Sequence, residues 1–178
     1  MLEIVHAHGL EGSPRGVKAT YLRERLGAVA PWLGELDLDG QVEALRGAIG
    51  EESSAVAIGS SLGALAALGL ADRFPELVGR LILLAPAVGG HRLAADHPEV
   101  EAQRPGLVEQ WERYSGLSVP EGIPCEIIHG LHDDLIRLDD VLDLVRRSPT
   151  ASLLLVHDDH ALTASRDLIL ATAARAAG

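Results

Sequence analysis

The 178-residue sequence has very little cysteine and few aromatic residues. Its single cysteine, Cys125, excludes an internal disulfide and a zinc site built from several cysteine thiolates. We expect Cys125 to pack in the core as a small apolar residue. Aromatic residues make up 3% of the chain, so few side chains are available to stack on a ring-shaped ligand.

Excess positive charge is also missing. The formal net charge is -11 at pH 7, which argues against binding nucleic acid or an anionic membrane through bulk electrostatics. A local cluster at Arg15 and Lys18 has the chemistry to hold an anion, although a solvated helix start is the more common role for such residues.

Long apolar runs are absent as well. No run approaches the length needed to span a membrane. The apolar stretch at the N-terminus is interrupted at once by His6, His8 and Gly9, so no secretion signal is visible. We therefore expect a cytoplasmic protein with neither a membrane nor a nucleic-acid partner.

Short apolar runs alternate with helical patterns along the chain. This alternation predicts an α/β protein with a parallel sheet, and nothing in the sequence divides residues 1–178 into more than one domain. We expect six strands. The predicted strands are 2–7, 32–38, 54–58, 81–85, 126–129 and 153–156, and the predicted helices are 17–26, 42–49, 62–74, 107–114, 138–146 and 163–177.

One segment, residues 86–124, interrupts this alternation and holds five of the nine prolines. Long excursions inside compact domains are usually lids or binding loops. A short helix at 107–114 would place Trp111 and Tyr114 on one face, three residues apart. They are candidates for the substrate pocket, and ordinary packing beneath the excursion is an equally good explanation.

The most informative motif is Gly59-Ser60-Ser61-Leu62-Gly63, which fits G-x-S-x-G between a strand pattern and a helix pattern. A reacting serine must be lifted clear of the sheet on a tight turn, and glycines on either side let strand and helix pass close together. The motif therefore predicts Ser61 as a nucleophile.

A serine nucleophile needs a base, and the base needs an orienting carboxylate. Asp133 follows the predicted strand at 126–129, and His157 and His160 follow the strand at 153–156. The carboxyl ends of parallel strands share one edge of a sheet, so these side chains should meet Ser61 there. The chain order is Ser, Asp, His.

These residues resemble the α/β-hydrolase superfamily, whose members carry a triad in that chain order. The acid of that family is commonly the Asp of a His-Gly-x-x-Asp sequence at a strand end. His129-Gly130-Leu131-His132-Asp133 fits this pattern, which favours Asp133 over Asp134. The family histidine typically opens the last helix, which favours His160. The resemblance further implies three layers, with helices on both faces of a six-stranded parallel sheet in the order 2-1-3-4-5-6.

The segment His8-Gly9-Leu10-Glu11-Gly12-Ser13-Pro14 is similar to the His-Gly oxyanion loop of the same family, and also to small bacterial esterases of the YqiA-like kind. By this resemblance the backbone N–H groups of Leu10 and Leu62 form the oxyanion hole, while His8 braces the loop.

The resemblance implies a serine esterase that hydrolyses a small or linear acyl ester, with no metal and no other cofactor. Thioesters or amides are alternative substrates for the same triad. A metal-dependent hydrolase, suggested by the histidines near strand ends, and a non-catalytic binding protein are alternatives of another class. The oligomeric state is not predicted.

Overall fold

A computed structural model describes residues 2–50, 54–90 and 105–178, together with positions 92, 95, 98 and 102. In these residues a parallel sheet has five strands in the order β1-β2-β3-β4-β5. The strands are β1 (Glu3–Ala7), β2 (Ala55–Ser60), β3 (Val78–Leu84), β4 (Cys125–Gly130) and β5 (Ala151–Val156).

The central strands are apolar on both sides because helices cover both faces of the sheet. In β2, Ala55 and Ala57 belong to one core cluster, whereas Val56 and Ile58 belong to the other. The described helices are α1 (Val17–Leu26), α2 (Leu38–Gly47), α3 (Leu62–Arg73), α4 (Leu107–Ser115), α5 (Leu138–Arg146) and α6 (Arg166–Ala177).

The two core clusters define two faces. Helices α2, α3, α4 and α5 contribute buried residues to the first face, and α1 and α6 contribute them to the second. The three-layer α/β arrangement predicted from the sequence is confirmed. The described helices begin or end within a few residues of the predicted bounds, and α1 and α5 match them.

The predicted strand at 32–38 is wrong. Pro31 and a turn, in which the Leu36 N–H donates to the Leu33 carbonyl at 3.2 Å, prevent an extended pairing segment. Asp37 then caps α2, since its side chain accepts the Gly40 N–H at 2.7 Å. The apolar residues of this segment therefore belong to a turn and to the start of α2, not to a strand.

One isolated parallel bridge joins Val29 to Val5, just before the segment 32–38 in the chain. The Val29 N–H donates to the Ile4 carbonyl, and the Val29 carbonyl accepts the His6 N–H. Val29 thus lies at the outer edge of β1, where the predicted order placed the second strand. The other five strands follow the predicted order.

Within the predicted lid-like excursion, residues 86–124, most positions between 91 and 104 lie outside the described residues. Its later part contains α4, which confirms the predicted helix at 107–114. Within the described part of the chain, no helix is both long enough and apolar enough to cross a membrane.

Candidate active site

Ser61 lies in the turn between β2 and α3, at the carboxyl edge of the sheet. Its φ and ψ are 55° and -120°, a conformation that a residue with a side chain rarely adopts. The turn is held by backbone hydrogen bonds, among them one from the Ser61 N–H to the Leu84 carbonyl at 2.9 Å. The strand, the helix and these hydrogen bonds thus hold Ser61 in a strained conformation, which is typical of a nucleophile elbow.

The two flanking glycines are required by close backbone contacts. A Cβ atom on Gly59 would collide with the backbone of Gly63 and Ala64. A Cβ atom on Gly63 would collide with the carbonyl oxygens of Ala7 and His8 at the end of β1. Both glycines therefore let α3 approach the sheet closely enough to present Ser61 at its edge.

A continuous hydrogen-bonded chain connects Ser61, His160 and Asp133. The distance from Ser61 Oγ to His160 Nε2 is 3.0 Å, and that from His160 Nδ1 to Asp133 Oδ2 is 2.9 Å. With Nδ1 bonded to a carboxylate, Nε2 is the ring atom that faces the hydroxyl. The structure thus joins the three side chains that the sequence singled out.

Asp133 is held as an ionised acceptor. Its Oδ1 atom accepts the N–H groups of Leu135 at 3.0 Å and Ile136 at 2.8 Å. Burial opposes ionisation of this carboxyl, but the hydrogen bonds from His160 and the Ile136 N–H outweigh burial, so the pKa of Asp133 lies below its ordinary value.

A second histidine, His129, also lies close to the Asp133 carboxylate. His129 Nδ1 is 3.7 Å from Asp133 Oδ2, and within the described residues this buried nitrogen has no hydrogen-bond partner. Burial lowers the pKa of His129, which favours its neutral form. Both histidine rings thus approach Asp133 Oδ2, and of the two only His160 is hydrogen-bonded to Ser61.

The loop after β1 approaches Ser61 directly. A Cβ atom on Gly9 would lie 3.1 Å from the Ser61 Cβ atom, so the loop touches the serine through backbone. His8 braces this loop: its Nδ1 bonds the Gly9 carbonyl at 2.9 Å, and its Nε2 accepts the Leu33 N–H at 3.2 Å. Leu10 and Leu62 both border the same cavity as Ser61.

That cavity has a volume of about 550 Å³ and opens over Ser61 and His160. Part of its wall is apolar and includes Leu62, Ala87, Trp111 and Ile136. Trp111 is fixed there because its Nε1–H donates to the Ala87 carbonyl at 2.6 Å. A smaller cavity of about 260 Å³, bordered by Arg80 and Thr150, contains none of the predicted site residues.

Tyr114 lies elsewhere, which corrects its predicted place in the pocket. Its ring packs where a Cβ atom on Gly69 would stand, and its hydroxyl donates to Asp39 Oδ1 at 2.7 Å. Burial and this hydrogen bond raise the pKa of Tyr114 to about 12. A helical spacing of three places two side chains near one face, but here Trp111 reaches the cavity and Tyr114 reaches α2 and α3.

The cavity wall also includes His6 and Lys18. The sequence suggests an anion site only for Lys18 together with Arg15, and Arg15 does not border the cavity. The sequence pointed to His6 only as one of the histidines near strand ends that suggested a metal site, and not as part of the pocket. The remaining histidines do not assemble a metal centre: among the residues described, no group of three or more His, Cys, Asp or Glu is placed to hold a metal ion.

No family model matches the sequence, and no curated protein matches it in a sequence search. Solved structures do resemble it. Alpha/beta hydrolase domain-containing protein 10 from mouse is 19% identical with a TM-score of 0.79, covering 96% of this chain and 87% of its own.

Two further structures extend the likeness. A protein from Xanthomonas campestris, assigned to the alpha/beta superfamily of hydrolases, is 28% identical with a TM-score of 0.67, over 99% of this chain and 95% of its own. A structure of the metagenome-derived lipolytic enzymes LipS and LipT is 15% identical with a TM-score of 0.76, over 98% of this chain and 92% of its own. The predicted α/β-hydrolase fold is confirmed, while the likeness to YqiA-like esterases stays a prediction.

Proposed function

Because the chain has the α/β-hydrolase fold, we propose that it is a serine hydrolase that cleaves carboxylic esters, with Ser61 as nucleophile, His160 as base and Asp133 as orienting acid. One observation carries the proposal: a strained serine at a strand-to-helix turn begins an unbroken chain of hydrogen bonds of 3.0 and 2.9 Å to a histidine and a buried carboxylate. The lipolytic activity named for one similar structure agrees with it.

The reaction proceeds in two halves. His160 takes the Ser61 proton as Oγ attacks the ester carbonyl carbon, and the protonated ring then gives that proton to the departing alcohol oxygen. The bond from carbonyl carbon to alcohol oxygen breaks, leaving an acyl group on Ser61. Water, activated by His160 in turn, releases the acid and restores Ser61.

Backbone N–H groups stabilise the negative charge that forms on the carbonyl oxygen. Leu62 N–H is suited to this because it begins α3, where the first N–H groups have no acceptor within the helix. Leu10 N–H belongs to the loop that contacts Ser61 through Gly9. An oxyanion hole needs two such donors directed at the same carbonyl oxygen, and both residues border the cavity that contains Ser61.

The cavity favours small or linear acyl groups. About 550 Å³ of open space with an apolar wall at Leu62, Ala87 and Trp111 accommodates an alkyl chain, which gains free energy as it leaves water. Thioesters and amides would use the same side chains, so a panel of matched oxygen esters, thioesters and amides of increasing chain length identifies the preferred bond.

The proposal predicts that Ser61→Ala abolishes turnover of 4-nitrophenyl butyrate, with a loss of several orders of magnitude in kcat. A fluorophosphonate should form a covalent adduct on Ser61 in the wild type, which peptide mapping distinguishes from the neighbouring Ser60. Ser54→Ala, a serine outside the cavity, serves as the matched control and should keep turnover and labelling.

Wild-type-like turnover by the Ser61→Ala variant would contradict the proposal. So would inhibition by a chelator combined with resistance to the fluorophosphonate, since that pattern belongs to a metal-dependent hydrolase. A protein that neither reacts with the probe nor hydrolyses any ester of the panel is a binding protein on the same fold.

A further inference from the structure

Lys18 is the only lysine in the chain, although Lys and Arg together number 15. This lysine lies in α1, and its side chain borders the cavity that contains Ser61. Its Nζ atom donates a hydrogen bond at 2.9 Å to the carbonyl of Ala161, the residue directly after His160 in the chain. The one primary amine among the side chains thus stands next to the proposed base.

Lys18 has no carboxylate partner within 4.0 Å among the described residues. Burial lowers the pKa of Lys18, while the nearby charges of Asp158 and Asp159 act in the opposite direction. One hydrogen bond to a carbonyl leaves further N–H donors on the ammonium group. A partly buried cation with spare donors at a cavity is arranged to meet an anion from outside the protein.

The N-terminus of α1 faces the same part of the cavity. Residues 16–19 all border it, and the N-cap, Gly16, offers no side chain to the free N–H groups. The first turn of α1 contains no acidic residue. Unsatisfied N–H groups and the helix dipole favour negative charge at this end of a ten-residue helix.

His6 supplies an independent observation. Its side chain borders the cavity and is 1% exposed, yet neither ring nitrogen has a hydrogen-bond partner in the described structure. Burial and then the charge of Lys18 lower the pKa of His6 to about 3, so the ring is neutral and keeps one N–H to donate. A buried ring without partners beside Lys18 is satisfied when a ligand accepts that N–H.

We propose that the enzyme acts on esters whose leaving group bears a carboxylate or a phosphate, bound by Lys18, the N-terminus of α1 and His6. This inference rests on the proposed function. The general acid must contact the leaving oxygen, and Lys18 bonds the residue after His160, so the cationic part of the cavity lies on the leaving-group side. The apolar wall at Ala87 and Trp111 remains for the acyl chain.

Two features of the cavity bear on the strength of this binding. Arg166, an exposed residue that begins α6, adds positive charge to the same wall. Glu11 also borders the cavity and opposes an anion, but it is exposed, so solvent weakens its effect.

The test compares two chromogenic esters that differ by one carboxylate on the leaving group, 4-nitrophenyl butyrate and 3-carboxy-4-nitrophenyl butyrate. The measured quantity is the ratio of kcat/KM for the anionic ester to that for the neutral ester. Lys18→Met should lower this ratio by roughly tenfold or more, mainly through KM, because a charged hydrogen bond is lost. Lys18→Arg should restore part of it.

Arg25→Met is the matched control, since Arg25 lies on α1 but does not border the cavity. It removes the same formal charge and should leave the ratio unchanged. If Lys18 only tethers the loop of His160, Lys18→Met lowers both kcat/KM values equally and the ratio does not move, which overturns the inference.

The wild type alone provides a second measurement if the Lys18 variants fail to fold. A net charge of -11 would repel the anionic ester, so in the absence of a local cationic site the ratio is below one and rises with added NaCl. The inference requires the opposite, a ratio above one that falls with NaCl.

Competition identifies the anionic group. Inorganic phosphate or acetate is added as a competitor of the anionic ester. If phosphate raises KM at the lower concentration, the site prefers a phosphate group; if acetate does so, the site prefers a carboxylate. If neither anion raises KM, the result counts against the site. If the protein hydrolyses the neutral ester but the kcat/KM ratio responds neither to Lys18→Met nor to NaCl as expected, only this inference is refuted. Absence of both hydrolysis and fluorophosphonate labelling refutes the proposed function with it.

Discussion

At the scale of single residues, the site depends on a strained backbone conformation at Ser61 and on a charge removed from solvent at Asp133. Ser61 has a positive φ, and Asp133 is an ionised carboxyl out of contact with solvent. Each is stabilised by neighbours: backbone hydrogen bonds at Ser61, and two N–H groups with His160 at Asp133. Local strain and burial are tolerated where the surroundings leave no alternative.

His6 predicts a dependence of stability on pH. Its pKa is about 3 in the folded protein, against 6.5 for the exposed ring. Between these values the unfolded chain binds the proton and the folded chain does not, so stability falls as pH falls from about 6.5 towards about 3.

This contribution is measured by urea unfolding of the wild type and His6→Gln at several pH values. The free energy of unfolding of the wild type should decline more steeply than that of His6→Gln across this window, by an amount on the order of a few kcal/mol in total. Parallel curves would show that His6 is not buried as a neutral ring.

At the scale of elements, the turn between β2 and α3 determines where the nucleophile stands. Glycine at position 63 allows the first turn of α3 to touch the backbone at the end of β1, and glycine at position 59 allows the strand to pass α3. The G-x-S-x-G motif is thus a requirement of packing between three elements as well as of the turn.

Gly63→Ala tests this requirement. The added methyl group meets the carbonyl oxygens of Ala7 and His8, which are backbone and cannot move aside, so we expect a loss of roughly 3 kcal/mol or more in unfolding free energy. Gly47→Ala is the control: a Cβ atom on this exposed glycine of α2 meets nothing within 4 Å. It should stabilise the protein by about 0.5–1 kcal/mol.

Both variants can be compared by denaturant unfolding and by turnover of 4-nitrophenyl butyrate. A stable, fully active Gly63→Ala protein would mean that α3 does not contact β1 as described.

At the scale of the whole molecule, one parallel sheet brings together residues that are far apart in the chain. Ser61 and His160 are separated by 99 positions, yet both follow strands whose carboxyl ends share an edge. Helices on the first face supply the apolar wall of the cavity, and α1 on the second face supplies its cationic part. The cavity therefore draws on both layers of helices.

Net charge also acts at this scale. With a formal charge of -11, acidic groups repel one another more in the compact state than in the unfolded chain. Raising NaCl from about 10 to 200 mM at pH 7 should screen this repulsion and raise the melting temperature, which calorimetry measures. A melting temperature that falls with salt would show that attractive ion pairs, such as Arg175 with Glu126, outweigh the repulsion.

The sequence by itself determined the order of elements and the residues that follow strand ends. The sequence predicted all five strands of the sheet, the six helices α1 to α6, and the approach of Asp133 and His160 to Ser61, because hydrophobic period and turn residues are local signals. The catalytic roles of these residues stay predictions.

Only the tertiary structure decided the rest. The segment 32–38 forms a turn and a helix start, in which Asp37 caps α2. Tyr114 contacts Asp39, whereas Trp111 borders the cavity. Lys18 on α1 and His6 on β1 lie close together because α1 packs on the sheet, so both border the cavity. Such outcomes depend on distant contacts that compete with local preference, and the direction of a side chain is decided by the partners that packing brings within reach.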